Sequence, residues 1–92
     1  MPNKLIFRKH ALQRMFQRSI STEDVAAVLI EGKCIIAYPD DTPYPSRLML
    51  GWRGERPIHI VAADTPESET IVITVYEPDP TLWELGFERK KP

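Results

Sequence analysis

Two histidines, a tyrosine at the end of a β-branched run and a few arginines are the residues of this chain with the types to do chemistry together. Cleaving RNA without a metal takes a base for the 2′-hydroxyl proton and an acid for the leaving 5′-oxygen. It also takes cations for the phosphorane charge. Histidine titrates in the useful range, arginine holds phosphate with a bidentate fork, and tyrosine stacks on a base or donates a proton. On that reading His59 is the acid or base, Tyr76 assists it, and His10 is a second proton carrier. Arg14 and Arg47 clamp the phosphate, while Arg18 and Arg53 hold the rest of the substrate.

Each of these residues has a plainer role to set beside the catalytic one. His10, Arg14 and Arg18 recur at helical spacing, which equally describes a solvated helix face. Arg47 follows a proline-rich loop, from which it either aims at a ligand or pairs with Asp40 or Asp41. His59, between Ile58 and Ile60, has the setting of a hydrogen-bonded strand histidine, and Tyr76 that of an amphipathic strand end. The competing function is a non-catalytic module that binds a partner protein or its own copy. It would work through an exposed sheet face and the Trp83–Phe87 segment.

Other chemistries find no footing. There is no C-x-x-C, H-E-x-x-H or EF-hand pattern, so no metal site is expected. The four glycines form no phosphate-binding fingerprint, and no cofactor is expected. The single cysteine, Cys34, opens an apolar stretch and is expected to pack in the core.

The elements that must position these groups follow from periodicity. Ala11, Leu12, Met15 and Phe16 share one arc of a helix over residues 10–18, opposite His10, Arg14 and Arg18. Ser21, with Asp24 three residues on, opens a second and more buried helix over Thr22 to Glu31, and Gly32 is the C′ residue expected to end it. Strands are expected over Cys34 to Tyr38, Arg47 to Arg53, Pro57 to Asp64 and Thr70 to Glu77, the last of them central. Leu5 to Phe7 reads as a short strand outside that meander. A hairpin centred near Glu67-Ser68 sets Tyr76 opposite His59. The expected architecture is α+β, with two N-terminal helices packed on a four-stranded antiparallel sheet. Residues 78–92, interrupted by Pro78 and Pro80, form a tail whose Trp83, Leu85 and Phe87 fold back over a sheet edge.

Ninety-two residues, 42% apolar and 27% charged, make one small globular domain spanning residues 1–92. The longest apolar run, Val25 to Ile30, is far below a membrane span. Met-Pro-Asn-Lys at the start lacks the apolar core of a secretory signal, so the expectation is a cytoplasmic protein away from membranes. A net charge of −1 argues against an indiscriminate nucleic-acid binder. The charges are nonetheless sorted. Lys4, Arg8, Lys9, Arg14 and Arg18 precede residue 20 with no acid among them, whereas residues 58–88 carry seven acids and no lysine or arginine. That is either a binding surface or internal complementarity.

The string His10-Ala11-Leu12-Gln13-Arg14 through Arg18, then Ile20-Ser21 and Asp24-Val25, resembles the H-A-x-x-R-x-x-x-R-x-I-S-x-x-D-V opening of a bacterial domain-of-unknown-function family. Tyr38-Pro39-Asp40-Asp41, Pro43 to Arg47, Pro57 to Val61 and Ile73 to Pro78 continue the likeness over nearly the whole chain. The family is similar to the RelE, BrnT and HigB toxins, which are small α+β mRNA endonucleases. The resemblance implies a RelE-like fold, RNA or the ribosome as target, and a small antitoxin as partner, with a homodimer also compatible. Toxins of that type are strongly basic, and this chain is not.

Overall fold

The computed structural model describes residues 3–92. Seven elements follow one another: β1 (Lys4–Phe7), α1 (Lys9–Arg18), α2 (Thr22–Glu31), β2 (Lys33–Tyr38), β3 (Ser46–Arg53), β4 (Arg56–Asp64) and β5 (Glu69–Tyr76). The fold is α+β, and the sheet has five strands in the order β1-β5-β4-β3-β2. It is mixed: β2 to β5 form the expected antiparallel meander, and β1 adds to β5 in parallel. The expected four-stranded antiparallel sheet is corrected by that one strand. The stretch Leu5 to Phe7 had the right local signal, but nothing local identifies a partner more than sixty residues away. With β1 in place β5 is interior, and β4 rather than β5 is the middle strand.

The two helices share one sheet face. α1 packs along β5, and α2 packs along β3 and β4. Ala11, Met15, Ile20, Val25 and Val28 meet Met49, Ile58, Ile60, Ala62, Val72 and Val75 in a single core. The apolar arc expected of α1 is only half used. Ala11 and Met15 are buried, but Leu12 is 47% and Phe16 89% exposed. A helix lying over one strand has room to bury a narrow stripe, and the rest of its arc stays in solvent.

Local chemistry fixes the helix ends. Ser19 takes a left-handed conformation (φ 53°), and the Ile20 N–H donates to the Met15 carbonyl at 2.9 Å, closing α1 and turning Ile20 into the core. The Ser21–Asp24 capping box forms in both directions at 3.0 Å, as its spacing predicts. Gly32 does stop α2, as its C-cap and in extended backbone (φ −76°). Its lack of a side chain matters for clearance: a Cβ there would lie 2.5 Å from the carbonyl oxygens of Val28 and Leu50. Gly51 serves the same seating, since a Cβ on it would meet Val28 at 2.8 Å.

The opposite sheet face carries Leu48, Leu50, His59 and Ala63, all buried. The C-terminal tail crosses this face from β4 to the edge strand β2. Trp83 is 5% exposed against His59, the Phe87 ring meets Trp52 edge-on at 5.9 Å, and Glu88 pairs with Lys33. The tail therefore covers the face and not merely an edge, because Trp83 is drawn to the only ring available on the middle strand. Leu85, expected to fold back with it, is fully exposed at the tip of a turn. Cys34 is also exposed, on β2, contrary to the core placement expected. Its strand is an edge, so an apolar sequence there does not guarantee cover. Among the described residues no helix is long and apolar enough to cross a membrane.

Candidate functional site

The register of β4 and β5 sets His59 directly opposite Tyr76. His59 is fully buried, and both of its ring nitrogens are engaged. Nε2 lies 2.8 Å from the Phe87 carbonyl oxygen, which can only accept, so Nε2 carries the proton. In the neutral ring Nδ1 is then the acceptor, and the Tyr76 hydroxyl donates to it at 3.1 Å. Trp83 stands perpendicular to the imidazole at 4.5 Å and Tyr76 at 5.2 Å, so rings enclose the histidine from two sides. Burial pushes the His59 pKa below its ordinary value, with the Phe87 carbonyl opposing. Burial likewise pushes the Tyr76 phenol up, with a smaller push from the Tyr38 phenol. Both shifts favour neutral groups. The pair is thus a neutral donor–acceptor relay, and a proton moving to Nδ1 must displace the Tyr76 hydrogen bond first.

His10 is exposed on α1, and its Nε2 lies 3.0 Å from the hydroxyl of Thr74, two residues before Tyr76. Of the remaining candidates none joins this group. Arg14 and Arg18 are exposed on α1. Arg47 is on the helix-bearing face, near the far end of β3 from the Leu50–His59 pair, and bonds Asp64 at 3.0 Å. Neither Asp40 nor Asp41 holds it; Asp41 accepts instead from Ser46. Arg53 bonds Asp24 at 2.9 Å, bracing the α2 capping box from β3. The backbone hydrogen bond from Ser21, followed by the Arg53 bond, holds the Asp24 carboxyl below the usual carboxylate range.

Other polar groupings were not singled out in the sequence. Asp64 accepts from Thr70 at 2.7 Å as well as from Arg47, at one end of a cleft of about 430 Å³ walled by Leu5, Leu29 and Ile30. Arg56 bonds Glu77 and donates at 2.7 Å to the Arg18 carbonyl, a cation placed at the C-terminal end of α1. The alternation of β4 puts Arg56 on the helix side, a signal available from sequence once the strand boundaries are known. Among the described residues no group of histidine, cysteine and acidic side chains is arranged to hold a metal ion. Every buried side-chain nitrogen and oxygen among them has a partner.

The molecule is an α+β domain with a mixed five-stranded sheet, helices on one face and a tail sealing a neutral His–Tyr pair on the other. The chain belongs to the DUF4258 family, a domain of unknown function, whose model matches residues 7–77. No curated protein and no solved structure matches it. The matched segment contains His59 and Tyr76 and stops short of Trp83 and Phe87, the residues that cover them.

Proposed function

We propose that this chain is a protein-interaction module that works through a displayed helix and not through a hydrolytic site. One contrast carries the reading: Phe16 is 89% exposed on α1 while His59, the best catalytic candidate, is 0% exposed with both ring nitrogens bonded. Phe16 and the half-exposed Leu12 one turn before it put two adjoining apolar side chains in water on a well-formed helix, and the reading takes that pair as part of a docking surface. The likeness to RelE, BrnT and HigB proteins belongs to this proposal. The order of two helices followed by an antiparallel meander supports it, and a cytoplasmic setting is part of the same proposal.

A photo-reactive residue at position 16, expressed in bacteria, should give an adduct whose added mass is protein, and the same residue at exposed position 55 should not. An RNA adduct at position 16, or none, counts against the module. The second reading, a metal-independent endoribonuclease, is favoured by the His59–Tyr76 hydrogen bond with His10 nearby on α1. It predicts growth arrest with mRNA loss on induction, relieved by His59→Gln or Arg47→Ala at unchanged soluble expression. That result would replace the module reading.

A further inference from the structure

The two helices leave part of their sheet face open. α2 begins beside Arg53, which bonds Asp24, and ends with Gly32 against the Leu50 carbonyl, so it spans the Leu50–Arg53 half of β3. α1 follows β5. Arg47 at the start of β3, Asp64 at the end of β4 and Thr70 at the start of β5 lie beyond both helices and meet in the cleft of about 430 Å³. Leu29 and Ile30 of α2 wall it, together with Leu5, which the parallel pairing of β1 sets beside Thr70.

Apolar walls around a few convergent polar groups are the usual form of a small-molecule site. The polar groups decide what kind of molecule fits. Asp64 is already well supplied: Arg47 Nη1 donates to its Oδ2 at 3.0 Å, and its Oδ1 accepts from Thr70 at 2.7 Å and from the Asn3 amide at 3.4 Å. Arg47 uses one of its five N–H donors in that pair, and among the described residues the others make no hydrogen bond. The unused capacity of the cleft is therefore donor capacity, on a partly buried guanidinium that Asp64 holds in place. A planar fork of this kind matches a carboxylate. Arg47 is the one cation among the described residues of the lining, and it already faces one acid. A singly charged head suits it, and a phosphate dianion does not. An ammonium head would meet a cation and an acid whose oxygens are both engaged.

We propose that this cleft binds a small monocarboxylic acid with an aliphatic body. The carboxylate takes N–H groups of Arg47, and the chain lies against Leu5, Leu29 and Ile30. The site is separate from the solvent face of α1 and does not depend on the interaction-module reading, which the crosslink at position 16 decides by itself.

The full-length chain labelled with ¹⁵N is titrated separately with octanoate, octylammonium, 1-octanol and acetate. Octanoate should shift the amides of Leu5, Leu29, Ile30 and Arg47, with a Kd on the order of 1 mM or below. The other three should each bind at least about tenfold more weakly, for want of the right head or of the chain. Arg47→Met keeps a long side chain in place and should weaken octanoate on the order of tenfold while leaving octanol unchanged. Ile30→Glu, at an exposed position, sets a like charge in the wall and should weaken octanoate but not octylammonium. Should Arg47→Met not fold, the Ile30→Glu titrations decide alone. Octanol or octylammonium binding as well as octanoate would overturn the proposal, as would an unchanged octanoate affinity in a folded Arg47→Met chain. Shifts confined to α1, or to Cys34 and Ala37 in the hollow on the other side of Arg47, would also overturn it, and so would no shift at all.

Discussion

The His59 centre and the α1 stripe each present a ring among polar neighbours, yet they end in opposite states. Around His59 the chain supplies everything the ring needs: a carbonyl from Phe87, a hydroxyl from Tyr76 and the Trp83 indole as cover. Around Phe16 it supplies Lys9, the amides of Gln13 and Gln17, and no cover. The residue types most suggestive of chemistry are spent on sealing a tail to a sheet. The residues that look like ordinary core formers are the ones offered to solvent. On the proposed reading, function lies where cover is missing and not where titratable groups meet.

That comparison breaks first at Trp83. Trp83→Ala empties the space beside His59 and should cost about 3–5 kcal/mol, a large share of the stability of a domain this size. Urea unfolding measures it, and a loss below about 1 kcal/mol would mean that the tail lies on the sheet without closing it. On the helix side, Asp24→Ala removes half of the capping box and the Arg53 ion pair together. About 1–2 kcal/mol should be lost, and Arg53→Ala should add little on top.

Acid titration separates the two regions further. His59 has its pKa lowered by burial from an ordinary 6.5, so the unfolded chain takes up its proton first as the pH falls. Its contribution to stability is complete above that value and declines below it, down to the folded pKa. His59→Gln should flatten this part of the profile. Asp24 is also lowered, from 3.8, so its contribution holds above that value and is lost only in stronger acid. A stability profile flat from neutrality down to the carboxylate range would contradict the sealed, neutral histidine. The smallest effect belongs to Phe16. Phe16→Ser should change folding stability by no more than about 0.5 kcal/mol, since the ring touches little in the free chain. A larger loss in calorimetry would show that the ring is structural after all.

Much of this layout is written locally in the chain. The capping box at Ser21 and Asp24 is a three-residue rule, and the pairing of His59 with Tyr76 follows from counting outward from a hairpin. Three things were not legible, each because the deciding contact is distant. The partner of β1 lies at the other end of the chain. The path of the tail depends on an attraction between Trp83 and a histidine twenty-four residues earlier. The exposure of Leu12 and Phe16 depends on α1 resting chiefly over β5, which periodicity cannot report. The partners of the arginines were hidden for a related reason: charge and spacing do not reveal that Arg47 and Arg53 meet carboxylates on the helix-bearing side.

The parallel pairing of Lys4–Phe7 with Glu69–Val72 also orders events in time. A chain made from its N-terminus produces β1 more than sixty residues before the strand it needs, so that flank of the sheet closes only after the rest of the meander has been made. Contacts spanning so much sequence are slow to form, because the loop between them must be closed before pairing returns any energy. Until then the helices have the meander to pack on but no flank, and the N-terminal segment waits unpaired with its lysine and arginines exposed. A nascent copy is thus a different surface from a finished one.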